Sequence, residues 1–224
     1  MRNFKMYRYS EKRYNEATVT NGEIRIGTLY DFRKTEHKQG IQDPKEGKKA
    51  VTLTIENPDG KSIDDMVREN SGHLAQFGAS LPMGGTGSIE RVQHLKSFNA
   101  PDCFILCTSK YKSAQTMAEF EGADSCIEIV NIDSFYKYLT MALKKKTGIN
   151  LEFQGIHEIK YQNREEKWNG NNFGIDPILI KEEEFKQQGE LRAIWKPLYK
   201  VEIEPIIITD IRIAKRCKRM SVLR

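Results

Sequence analysis

The stretch Phe185–Pro197, "FKQQGELRAIWKP", decides how the chain is read. Gln188 and Glu190 flank Gly189, and the apolar residues Leu191, Ala193, Ile194 and Trp195 follow at once. A short apolar run bounded by a glycine predicts a buried strand entered through a turn. A turn alone asks nothing chemical of its polar residues, because glycine supplies the unusual backbone angle. An amide and a carboxylate at the mouth of a strand can also be half of a site whose other half comes from distant parts of the chain. Three more polar residues end or occupy predicted strands. Arg8 lies in "YRYS", and Thr108 and Ser109 close "FILCTS".

The rest of the chain supports a strand-rich frame. "NFKMYRYS" alternates as a first strand, and "SEKRYNEATVTNGE" reads as a helix stopping at Asn21-Gly22. "EIRIGTLYDF", "AVTLTIENPDGKS", "CFILCTSK", "DSCIEIVN" and "LEFQGIHEIKYQ" read as strands. "IDSFYKYLTMALKKK" is an amphipathic helix that gathers Phe135, Tyr138, Leu139, Ala142 and Leu143 on one face and ends in lysines, in keeping with its dipole. Residues 33–49 and 164–176 read as loops. Residues 62–99 stay undecided: "SIDDMVREN" is helical, but the glycine-rich "GASLPMGGTGSIE" lacks the Lys-Ser/Thr ending of a phosphate loop. Many strands and few helices, without regular alternation, predict an α+β fold. One domain is expected over residues 1–214, with a basic, solvated tail over 215–224.

Composition narrows the class. The chain has 224 residues, 38% hydrophobic and 30% charged, with a net charge of +5. That is enough chain for a core without a disulfide framework. The four cysteines form no C-x-x-C pair and the four histidines are scattered, so no metal site is expected. Cys103, Cys107 and Cys126, in apolar runs, read as buried small hydrophobes of a reducing compartment. "MRNFKMYRYS" has no apolar signal region and no run approaches a membrane span, so a cytoplasmic protein without a membrane partner is expected.

Arginine, serine and glutamate, in that order and each at a strand, resemble the mono-ADP-ribosyltransferases. The Gln-x-Glu form of the last motif is similar to that of transferases modifying acceptors other than arginine. "YRYS", "NGEIRIGTLYDFR", "QDP", "FILCTS", "TMAEF" and "ILIKEEEFKQQGELRAIW" also resemble a widespread bacterial family of unknown function, which ends in Glu-x-Glu-x-Arg. The chain departs from that second pattern where Ala118, in place of tryptophan, follows Met117.

The first resemblance implies mainly antiparallel, split sheets with a few flanking helices. It also implies NAD as substrate, with no metal, and a protein or nucleic acid as acceptor. Glu190 would hydrogen-bond the nicotinamide ribose and stabilise its oxocarbenium-like transition state, and Gln188 would orient the acceptor. Arg8 would present its fork of donors to phosphate or ribose. Thr108 and Ser109 would hold the ribose edge, and Tyr7, Tyr9 or Tyr30 would stack on nicotinamide. A toxin, a phage effector or an anti-phage defence element is the implied setting. Because the Gln-Gly-Glu turn reads as surface, Glu190→Gln is expected to leave folding nearly intact.

Two other functions fit the same residues. Interleaved basic and aromatic residues in "FKMYRYSEKRY", with "LKKKTG" and "KRCKRM", fit a non-catalytic nucleic-acid-binding module. A third reading is an NAD-like-ligand sensor or degenerate transferase that binds without turnover.

Overall fold

The computed structural model describes residues 5–34, 43–80, 84 and 87–221. In chain order the elements are β1 (Met6–Ser10), α1 (Lys12–Asn21), β2 (Glu23–Thr28), β3 (Lys48–Glu56), α2 (Ile63–Phe77) and β4 (Arg91–Asn99). They continue with β5 (Phe104–Ser109), α3 (Ala114–Ala118), β6 (Ser125–Ile129), α4 (Ile132–Thr147), β7 (Leu151–Glu158), β8 (Lys160–Tyr161) and β9 (Glu165–Lys167). The last are β10 (Ile180–Lys181), β11 (Glu190–Pro197), β12 (Ile206–Thr209), α5 (Ile211–Ala214) and β13 (Cys217–Met220). The fold is α+β with mostly antiparallel pairing, as expected. The loops expected at 33–49 and 78–90 lie partly outside the described residues.

The chain divides into two compact units where the sequence reads as one. The first comprises Met1–Glu46, Pro101–Gln162 and Ile178–Arg224, and the second Gly47–Ala100 and Asn163–Pro177.

The first unit is built on an eight-stranded antiparallel sheet. On one edge β5 pairs with β11 along its whole length, from Glu190↔Ser109 to Trp195↔Phe104. On the other edge it meets β2 only at Ile105 and Phe104, and β1 only at Ser109. Among the described residues, Leu106, Cys107 and Thr108 have no ladder partner on that edge, so the sheet splits there. The core lies under α4, where Phe135, Tyr136, Leu139 and Leu143 pack on Trp195, Ala193 and Phe104. Burying each large side chain contributes about 1.5–3 kcal/mol. Trp195 satisfies its ring N–H by donating to Thr140 Oγ1 at 2.8 Å. Tyr138 and Ala142, expected on the buried face of α4, sit at its rim as partly buried neighbours.

Cys217–Met220, expected within a solvated tail, is instead an edge strand paired antiparallel with β6. Lys218 and Arg219 are exposed on that strand. Charged side chains on an edge oppose further strand addition.

The second unit collects most of the region the sequence left undecided. β3 and β4 pair antiparallel through nine residue pairs, and the short β9 runs parallel to β3. Met66 and Leu74 of α2 close a small core with Leu53, Ile55 and Val92. Ser62 Oγ caps α2 by accepting from the Asp65 N–H, and Asp64 and Asp65 complement the dipole in its first turn.

Candidate functional site

A cavity of about 550 Å³ in the first unit has Leu106, Cys107 and Thr108, from the unpaired stretch of β5, in its wall. β1 supplies Tyr7, Arg8 and Tyr9, β2 supplies Arg25, β10 supplies Lys181, and β11 supplies Glu190 and Arg192. Volumes of roughly 300–1,000 Å³ are typical of small-molecule sites.

Arg8 is half-buried, and its Nη1 donates to Asn15 Oδ1 at 2.7 Å. Asn15 is itself buried, and its amide donates to Ser125 Oγ at 2.6 Å. Ser125 Oγ in turn donates to the Ser10 carbonyl at 3.3 Å, across the β1–β6 pair. Among the described residues no carboxylate forms an ion pair with Arg8. Desolvation without a counter-ion pulls its guanidinium down to about 10. Arg8 therefore stays charged at neutral pH and faces the cavity as an uncompensated cation.

Glu190 is in the opposite electrostatic state. It is 3% exposed, and its Oε1 accepts from Arg192 Nε at 2.8 Å. Its Oε2 lies 2.9 Å from Lys181 Nζ. Arg192, 1% exposed, also donates from Nη1 to Glu46 Oε1 at 2.8 Å and to the Ile178 carbonyl. Lys181 donates to Gln188 Oε1 at 2.8 Å. Burial pushes the Glu190 carboxyl up, but the charges and hydrogen bonds of Arg192 and Lys181 outweigh it and hold the group well below the usual carboxylate range. The same pairing overcomes burial to raise Lys181 and Arg192. Glu46, Glu190, Lys181 and Arg192 thus form one buried cluster of two carboxyls facing two cations. Desolvating such ions costs several kcal/mol each unless they are paired with good geometry, as here.

The strand register explains this grouping. Glu190 and Arg192 are two apart on β11 and so share one face of the sheet. Across the ladder they oppose Ser109 and Cys107. Gly189 adopts φ +51°, and a Cβ built there would lie 2.3 Å from the Tyr111 ring. Tyr111 in turn holds Ser109, whose Oγ accepts from the Tyr111 N–H at 3.0 Å and donates to its carbonyl at 3.3 Å. Thr108 Oγ1 donates to the Leu191 carbonyl at 3.2 Å. Tyr9 donates its hydroxyl to the Tyr111 carbonyl at 2.8 Å, accepts from the Ser113 N–H at 2.9 Å, and stacks 6.1 Å from Phe120.

Of the expected site residues, Arg8, Tyr7, Tyr9, Thr108, Ser109 and Glu190 line this one cavity. Gln188 and Tyr30 are not in its wall. Gln188 is 0% exposed and its amide oxygen is engaged by Lys181, so it offers no face to an acceptor. Tyr30 is exposed, with Arg33 over its ring at 4.2 Å. Glu190 is no surface residue either. Its burial and ion pairs remove the surface placement on which the expectation for Glu190→Gln rested.

Glu46 and Lys181 are among the charged cavity residues that the sequence did not single out. Lys181 begins "KEEEF", which reads as a solvated charge run, and Glu46 sits in the loop sequence "DPKEG". The available signal was Lys181 directly after the apolar "ILI" and Arg192 inside an otherwise apolar strand. A cation in a buried strand demands a buried anion.

Among the described residues no group of three or more His, Cys, Asp or Glu is arranged to hold a metal ion. No helix among them is long and apolar enough to cross a membrane. No protein-family model, curated protein or solved structure matches the chain.

Proposed function

We propose that the cavity of the first unit binds NAD and that the protein is an ADP-ribosyltransferase-like enzyme acting on a macromolecular acceptor, protein or nucleic acid. One observation carries this reading. Arg8, Ser109 and Glu190, from three distant segments, line a single cavity of dinucleotide size.

The chemistry assigns each group a task. Arg8, charged and free of a carboxylate, meets the pyrophosphate. The wall formed by Tyr9 and its stacked partner Phe120 suits an aromatic ring of the ligand. As the bond from C1′ to nicotinamide breaks, the bonding pair leaves with nicotinamide and positive charge grows on the ribose. Glu190, held ionised, accepts from the ribose hydroxyl and opposes that charge. An acceptor oxygen or nitrogen then bonds to C1′ and loses its proton to solvent or a base. Glu190 serves as an electrostatic partner and hydrogen-bond acceptor, not as a proton donor, because its carboxyl stays ionised at neutral pH.

A binding-only reading is favoured by one specific observation. Both Glu190 oxygens already meet cations, Oε1 that of Arg192 and Oε2 that of Lys181. That pairing weakens its pull on a developing ribose cation. Incubation with NAD and cell lysate, scoring released nicotinamide and label on protein and nucleic acid, separates the readings. Nicotinamide release supports the enzyme. Saturable NAD binding without release supports a sensor. Neither overturns both.

A further inference from the structure

We infer that Asn15 is a positioning residue that fixes the Arg8 guanidinium at the cavity wall while leaving its charge free for an oxyanion ligand. This inference deepens the proposed NAD site and rests on its assignment of Arg8 to the ligand's phosphates.

The arrangement separates two jobs that one aspartate would combine. A half-buried arginine is commonly held by a carboxylate, which fixes the side chain and cancels its charge together. Here a neutral amide takes that place. Asn15 Oδ1 accepts from Arg8 Nη1 at 2.7 Å, and Asn15 itself is only 3% exposed. Its remaining amide group is spent on Ser125 Oγ at 2.6 Å. Ser125 closes the relay on the Ser10 carbonyl, directly across the β1–β6 pair. Asn15 is therefore oriented at both ends, and its oxygen, rather than its nitrogen, faces Arg8. The other guanidinium donors make no hydrogen bond among the described residues, and Arg8 forms part of the cavity wall.

The cavity's other three cations behave differently. Lys181 and Arg192 face Glu190 and Glu46 at ion-pair distance, and Arg25 Nη2 lies 2.6 Å from Asp31 Oδ2. A ligand anion entering the cavity meets three ion-paired cations and one, Arg8, with no carboxylate partner among the described residues. Asn15 is what keeps the free one both ordered and charged. A planar fork fixed in this way suits a phosphate or diphosphate oxygen pair better than a single halide.

Substitution at Asn15 gives opposite rank orders for the two explanations of its burial. Asn15→Asp keeps the shape and supplies Arg8 with a counter-ion. Asn15→Ser removes the amide's bonds but adds no charge. If Asn15 only fills and braces the core, Asn15→Ser is the more damaging. If Asn15 preserves a free cation, Asn15→Asp is the more damaging to anion binding and the less damaging to folding. The experiment is titration of inorganic pyrophosphate, and separately of NAD, into full-length wild type and both variants, with thermal melting of each.

The expected result is pyrophosphate binding by wild type, weakened at least about tenfold in Asn15→Asp and less than about threefold in Asn15→Ser. Asn15→Asp should also melt no lower than Asn15→Ser. Equal affinities in wild type and Asn15→Asp overturn the inference, as does greater loss of affinity in Asn15→Ser. Failure of wild type to bind pyrophosphate overturns it as well. Wild type that binds pyrophosphate, loses it in Asn15→Asp, and yet neither binds nor cleaves NAD sinks the proposed function and leaves this inference standing.

Discussion

Arg192 Nε lies 2.8 Å from Glu190 Oε1, and both residues are sealed from solvent on one face of β11. This pair ties the fold to the site. The carboxylate best placed to act on a ligand is also half of a buried ion pair.

Removing one partner of a buried pair strands the other charge in a poor solvent. Glu190→Gln and Arg192→Met should each cost about 3–5 kcal/mol, read from urea unfolding. The more exposed pair of Lys110 and Glu158 provides the contrast. Lys110→Ala should cost less than about 1 kcal/mol. Similar costs at both places would show that the β11 pair is not the support described.

Acid dependence follows from the same carboxyl. Its folded-state pKa lies below the ordinary value of 4.5. The stability it contributes is fully present above that ordinary value and is lost as pH falls toward the folded pKa. Wild type should therefore lose part of its advantage over Glu190→Gln between pH 7 and pH 3. Denaturant curves at both values test this. A gap that stays constant, or widens in acid, contradicts the assignment.

Gly189 meets two constraints at once, a positive φ and the Tyr111 ring where a Cβ would lie. Gly189→Ala should destabilise by about 1–3 kcal/mol, from backbone strain of about 1–2 kcal/mol plus the clash. Adding Tyr111→Ala should recover the steric share only. A double-mutant cycle reads the coupling, and additive costs would remove the contact from the explanation.

Thiol reactivity should be low in the folded state. Burial pushes Cys126 up to about 11 and Cys217 up to about 12, and holds Cys107 well above its ordinary range. At pH 8 the thiolate fraction at Cys126 is on the order of one in a thousand. Ellman's reagent should label these three only on unfolding. Rapid labelling of Cys107 in the folded protein would show the cavity to be more polar than described.

Much of the first unit was legible because its signals are local. Asn21-Gly22 ends α1 with Gly22 at φ +71°, as a glycine stop should. The lysines of α4 sit in its last turn. Arg8, Ser109 and Glu190 could be read as strand-associated, and strand register then brought Ser109 and Glu190 opposite each other. What stayed hidden depends on long-range pairing. Val92, Leu95 and Phe98 recur at helix-like spacing, yet they lie on β4, where Val92 is buried and Leu95 is 66% exposed. Lys181 looked solvated because its partner Glu190 lies beyond an intervening 3-10 turn, Glu183–Gln188. Asn15 looked like any helix residue, since its role needs Arg8 and Ser125 from two other elements.

The most direct test of the NAD site is calorimetric titration of NAD into wild type and Arg8→Ala, with matched melting temperatures. The expected result is one saturable site in wild type, weakened at least about tenfold in the variant, as loss of a charge-assisted contact of about 1.5–3 kcal/mol requires. No binding by wild type, or equal binding by both proteins, would contradict it.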